Sequence, residues 1–405
     1  MAGIGGGPQL PDPRYLAAMQ PQPVGPILGV DEQLIHQVVD TFAVVGQSDP
    51  AWTEKICAMA LARDGSLQLG FGLGKYTNRN VMDAYAAVSR GAEQRTVRSS
   101  RRLAPQPELT AVGPIRYEII EPLQAVRFVL EPNDVQPIAF DCTFRAVIPP
   151  VMEDRSHVRH AYRASTEIVR YHQIGVAEGW IDVDGERTEI TPDTWVSTRD
   201  HSWGVRYGVG IPSVDTEGAG TQIPPGVAFM MIWSPVLMER TDGSRYGVHL
   251  HFVRYAMPGF EQMEVIGAVE HPDGRVEKIV KLVPELRFDP ANRRLLGGTV
   301  HATLADGSER PFTIEVLSDT GTLLGAGLYF GLDGHYHGEF RGAEHVDGER
   351  IADCRDPEVA KRFHQIRDTA IRLTDPVGGG VGVGNCQPMA VGPWPDLGLA
   401  DENWV

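Results

Sequence analysis

The chain is poor in cysteine, with four in 405 residues (Cys57, Cys142, Cys354 and Cys386) and no C-x-x-C pair. That spacing excludes a zinc knuckle and a disulfide scaffold, and it fits reduced thiols in a cytoplasmic protein. Positive charge is also short. Thirty-seven Lys and Arg stand against 53 Asp and Glu, for a formal net charge of -16. This argues against nucleic-acid backbones and anionic membrane surfaces, both of which select basic patches. No apolar run approaches the ~18 residues that suggest a membrane span. Met1 to Pro26 is rich in Gly and Pro but has neither the basic region nor the apolar stretch of a signal peptide. A G-x-S-x-G nucleophile elbow is missing as well, which argues against a serine hydrolase.

What is present describes a globular chain with a sizeable core, at 42% apolar and 22% charged residues. Its length points to more than one domain. Residues 1–30 read as a Pro-punctuated arm. Asp31 then starts an expected helix with Leu34, Ile35, Val38, Val39 and Phe42 on one face and Gly46 as its stop. Beyond Trp52 the texture is that of strands, with a short helix expected near Val81–Val88. Seven Asp-Gly pairs punctuate the chain, at Asp64, Asp184, Asp242, Asp273, Asp306, Asp333 and Asp347. Each tolerates the positive φ angles of a tight hairpin turn. Short strands joined in this way form antiparallel meanders, which hide their edges best by closing into barrels. Strands are expected at Leu323–Phe330 and His335–Phe340, and Asp356-Pro357 is expected to cap a short helix. Gly218–Pro225 is the linker candidate. The fold expected is therefore all-β: an arm and helix over 1–48, a first barrel over 49–217 and a second over 226–405.

Three patterns bear on chemistry. The Gly-rich run Gly378–Gly384 lacks the strand-before, helix-after context of a nucleotide loop and reads better as a flexible or tightly packed strand. His249 and His251, like His335 and His337, would share a strand face and could bite a metal given a third ligand. Neither pair sits in a recognised zinc pattern, so no metal and no cofactor is expected. The densest cluster is Thr198–Arg206, TRDHSWGVR. On a strand, Arg199, His201, Trp203 and Val205 point one way, and Asp200, Ser202, Gly204 and Arg206 the other. An imidazole can exchange protons near neutral pH, and an indole face stacks on an apolar ligand or steadies a cation. Together they suit acid-initiated chemistry on an alkene. The alternative is a core pair, with Asp200 tied to an arginine for structure.

The succession YEIIEP (117–122), FDCTFR (140–145), YHQIGVAEGW (171–180) and RDHSWGVR (199–206) resembles the superfamily of AttH-like proteins and carotenoid hydratases, over residues 50–385. The resemblance implies two tandem lipocalin-like barrels with an apolar ligand site between or inside them, lined by His201 and Trp203, with His201 handling a proton. Those hydratases also use a tyrosine and an aspartate on a following strand. Ala228–Ser234, AFMMIWS, has neither, so another acid such as Asp200 or Glu264 would have to serve.

The expected activity is that of a cofactor-independent lyase or isomerase. It would hydrate, dehydrate or cyclise a hydrophobic terpenoid- or polyketide-like molecule by proton transfer. His201 would be the acid/base, Trp203 the aromatic wall and Asp200 the orienting acid, with Arg199 and Arg206 as polar anchors. Met230, Met231 and Trp233 would line the second barrel's side, since Met adapts to irregular apolar ligands. The rival is a non-catalytic carrier of an apolar molecule. A hydrophobic small molecule is the expected partner, and a homodimer is compatible with the sequence.

Overall fold

The computed structural model describes residues 25–36, 44–160, 163–211, 228–257 and 259–399. Two antiparallel sheets carry almost all of them. The first runs Glu344–Ile351, Glu93–Arg102, Val81–Arg90, Gln68–Tyr76, Trp52–Ala62, Trp195–Val205, Arg163–Val183, Ile138–Ala146, Ala125–Leu130, Ile115–Glu121, Ala111–Val112, and it curls into a nearly closed barrel. The second runs Ala228–Arg240, Gly380–Val391, Arg367–Asp375, Glu309–Leu323, Leu295–Leu304, Val276–Phe288, Ala268–Glu270, Arg245–Met257. Its last strand pairs back onto its first, so this barrel is closed.

The interiors are filled rather than hollow. Phe71, Tyr117, Phe128, Phe140 and Phe144 pack at the centre of the first barrel, and Phe252, Phe312, Val300 and Ile371 at the centre of the second. A third and a fourth apolar cluster bridge the barrels. Ile174 and Val196 meet Leu237 and Val383 in one, and Cys57, Met59 and Tyr85 meet Met389 and Val391 in the other.

Most Asp-Gly pairs sit in turns. Asp184 and Gly185 adopt φ of 59° and 82° and join Arg163–Val183 to Glu186–Ile190. Asp347-Gly348 departs from the expectation, because it lies inside the strand Glu344–Ile351 with Gly348 opposite Val97. That strand comes from the second half of the chain yet extends the first sheet.

Val81–Arg90 is a strand and not a helix, since pairing on both sides overrides its mixed local preference. Gly29–Glu32 forms a single 3-10 turn, and residues 33–36 follow as bend and turn where a helix from Asp31 was expected; its positions 37–43 lie outside the described residues, as does the linker candidate. Leu323–Phe330 gives way to a 3-10 turn at Leu324–Gly327, and His335–Phe340 follows as irregular chain, so His335 and His337 share no strand face. The Asp356 side chain does cap the short helix Pro357–Arg362. Gly380, Gly382 and Gly384 lie in a packed strand.

Candidate active site at the seam of the two barrels

Trp195–Val205 is the central strand of the first sheet, between Trp52–Ala62 and Arg163–Val183. His201 lies opposite Ile56 and Tyr171, and Asp200 opposite Cys57 and His172. Alternation sends Arg199, His201 and Trp203 into the first barrel, while Thr198, Asp200 and Ser202 face the second. The strand approaches its neighbour closely at Gly204, whose φ is +133° and where a Cβ would collide with the Glu167 carbonyl.

The inward face is a closed polar network under the segment that precedes the first barrel. Glu32 takes two hydrogen bonds from Arg199, at 2.7 and 2.6 Å, with further ones from the Tyr117 hydroxyl at 2.9 Å and the Leu123 amide at 2.9 Å. Arg199 also donates to Gln173. Burial works to raise the Glu32 carboxyl, but Arg199 outweighs it and holds the group at about 2. His201 sits between Tyr171, 3.3 Å from its Nδ1, and Glu54, 3.2 Å from its Nε2. His36 reaches Glu54 at 2.6 Å and stacks on Trp203 with ring centroids 3.5 Å apart and an 11° tilt. Burial pushes the Glu54 carboxyl up, yet hydrogen bonds from His201 and His36 leave it lowered.

The outward face is different. Lys55, Cys57, Asp200, Arg170 and His172 form one continuous patch by register, and the second barrel presents Phe229, Met231, Trp233, Gln387 and Met389. Asp200, Arg170, Arg206, Tyr329, Met231 and Gln387 are partly rather than fully buried, and Asp200, Arg170, Arg206 and Tyr329 lie close enough to interact electrostatically. Burial raises the Asp200 carboxyl above its ordinary range, and the guanidiniums of Arg170 and Arg206 offset this only in part. Beside it, burial and Arg206 lower Lys55 to about 7. The Lys55 Nζ lies 2.8 Å from His337 Nε2 and 3.8 Å from the centre of the Tyr329 ring. Asp368, buried and hydrogen-bonded by Asn385 at 2.7 Å and Gln68 at 3.2 Å, is pushed up to about 7 by burial, against its amide partners.

A second polar cluster lies at the seam. Glu153 accepts from Trp233 Nε1 at 2.8 Å and meets Arg170 at 3.3 Å, His172 at 3.3 Å and His251 at 3.5 Å. His172 bonds Glu270 of the second barrel at 2.7 Å. Burial disfavours the His172 imidazolium, but Glu270 and Glu153 overcome this and raise it to about 10.

The structure thus divides the residues singled out from sequence. Arg199, His201 and Trp203 lie inside the first barrel, and Asp200 and Arg206 face the seam. Met231 and Trp233 also face the seam, whereas Met230 belongs to the second barrel's core. Glu264 is exposed on the edge strand Phe260–Val265, opposite Val253. Sequence reasoning missed Glu32, His36, Lys55, Glu153, His172 and Asp368. Lys55 carried a signal in hindsight, as a lone cation amid the apolar strand Trp52–Ala62. Glu153 and Asp368 carried none, since pairing across the seam defines them.

Fold and seam together define a tandem-barrel protein with filled barrels and a charged cluster between them. The chain belongs to a family of unknown function, DUF8625, whose model matches residues 27–400. No curated protein matches it. Solved structures similar to it include a putative AttH (NE1406) from Nitrosomonas europaea, at 13% identity over 84% of this chain and 92% of that one, with a TM-score of 0.47. CghA with Sch210972 is similar at 11% identity over 84% and 88%, with a TM-score of 0.46. Kievitone hydratase from Nectria haematococca is similar at 11% over 83% and 88%, with a TM-score of 0.37. Among the described residues no helix is long and apolar enough to cross a membrane.

Proposed function

We propose that the protein is a lyase or isomerase that hydrates, dehydrates or cyclises a hydrophobic small molecule by proton transfer at the seam. The observation that carries this reading is the Asp200 carboxyl, on the face of the strand Trp195–Val205 that meets the second barrel, close to Arg170 and Arg206 and raised by burial. A carboxylic acid raised by burial is better placed to donate a proton to an alkene or enol, and the nearby guanidiniums steady the carboxylate it leaves. Tyr329 and the Met231 side chain then border the cation formed. His201 and Trp203, proposed from sequence as acid/base and wall, lie one residue and three residues along the same strand on its other face. They act by holding that strand, through Tyr171, Glu54 and His36. The acid step uses protein groups alone.

The carrier reading is supported by the apolar side chains of Phe229, Met231 and Met389 that the second barrel turns to the seam. Native mass spectrometry of gently purified protein separates the two. A bound apolar molecule that wild-type protein converts to an isomer, or to a species differing by one water, supports the enzyme. The same molecule released unchanged after prolonged incubation contradicts it.

A further inference from the structure

We propose that Glu153, His249 and His251 form a binding site for one divalent transition-metal ion of the zinc class, at the seam. One ligand atom from each lies within 4.8 Å of those of the other two. Glu153 Oε2 is 3.5 Å from His251 Nδ1, and Glu153 Oε1 is 3.9 Å from His249 Nε2. Ligands bound tetrahedrally at ~2.0–2.1 Å stand about 3.3 Å apart, so both Glu153–histidine separations are already within ~0.6 Å of that spacing. The histidines are two apart on Arg245–Met257, which puts both on one strand face.

The decisive feature is what these histidines lack. His249 is fully buried, and among the described residues neither of its ring nitrogens has a hydrogen-bond partner, nor has His251 Nδ1. A buried polar atom left unsatisfied costs ~1–3 kcal/mol, and an ion placed between Glu153 and the two rings satisfies two of these nitrogens at once. Nitrogen and carboxylate donors in a two-to-one set suit zinc, cobalt or ferrous iron and leave at least one coordination position open. Trp233 Nε1 orients the Glu153 carboxylate as an outer partner would. Arg170 and the His172–Glu270 pair share that neighbourhood, and Arg170, 3.3 Å from Glu153 Oε2, is the group the ion has to compete with. Glu270 also borders a groove of about 280 Å³ lined by Pro149, Val151, Met152 and Lys278, which gives an approach from solvent. Because Glu153 follows a strand of the first sheet and both histidines belong to the second barrel, the ion clamps the barrels together. This role is independent of the proton transfer assigned to Asp200.

The test uses the full chain, stripped by a chelator and titrated with Co2+ while its visible absorption and thermal midpoint are followed. The expected result is one Co2+ per chain, ligand-field bands of low coordination number and a raised midpoint. His249→Ala should weaken uptake by at least the roughly 10–100-fold that even outer partners contribute, and His301→Ala, at a half-buried position of the strand Leu295–Leu304, should leave it intact. Sub-stoichiometric uptake by wild type overturns the proposal whatever the variants do. Uptake that survives both His249→Ala and His251→Asn overturns it as well, by placing the ion elsewhere. Should His249→Ala fail to fold, wild-type stoichiometry and His251→Asn decide.

Discussion

Glu32 and Arg199 meet as a bidentate ion pair with no exposed side-chain surface on either partner, at 2.7 and 2.6 Å. The pair fastens the segment before the first barrel to the barrel's central strand. Removing one member of such a pair strands a buried charge, which costs ~3–5 kcal/mol. Glu32→Ala should lose that much in chemical denaturation, whereas a loss under ~1 kcal/mol, the range of exposed pairs, would show the contact to be dispensable.

The same pair sets an acid limb. Glu32 is held at about 2 against an ordinary 4.5, so the folded state binds its proton less readily than the unfolded one. Its stabilisation is complete above about 4.5 and is lost as pH falls toward about 2. Thermal midpoints recorded across that window should fall less steeply in Glu32→Gln than in wild type. Parallel curves would rule out the linkage.

Asp368 predicts the opposite slope. Its carboxyl is raised from 3.8 to about 7, so the folded state binds the proton more tightly. The resulting cost is absent below about 3.8 and grows as pH rises to about 7. Asp368→Asn should therefore gain stability relative to wild type at pH above that window, compared with the same difference measured below it. A difference independent of pH would mean that Asp368 titrates normally.

His36 covers Trp203 face to face at 3.5 Å. Stacked aromatic pairs contribute ~0.5–1.5 kcal/mol beyond area, so His36→Ala should destabilise by about that amount and open Trp203 to acrylamide. Trp203→Phe in the same background should abolish the added quenching. If it persists, another tryptophan is its source.

Much of this architecture was legible because it is local. The Asp-Gly turns and period-two strands require only hairpin chemistry and alternation, and the division of Trp195–Val205 into two faces follows from the pleat. The resemblance carried by RDHSWG pointed to tandem barrels, and the two sheets have that form. Asp347-Gly348 misled because a turn-prone dipeptide can also mark a close approach, here of Gly348 to Thr96. The seam was not legible. Glu153 meets Trp233, 80 residues further along the chain, only when the second barrel folds against the first. Which face of a strand meets solvent and which meets a second barrel is a tertiary fact, and it moved the emphasis from His201 to Asp200.

The central claim is that Asp200 delivers the proton, and one comparison tests it most directly. Wild type and Asp200→Asn are each incubated with the molecule that co-purifies with the protein, and its conversion is followed by chromatography and mass spectrometry alongside its binding. The account predicts a rate loss of roughly 100-fold or more, in line with removal of a general acid, with binding and thermal midpoint retained. Conversion by Asp200→Asn at the wild-type rate would contradict it.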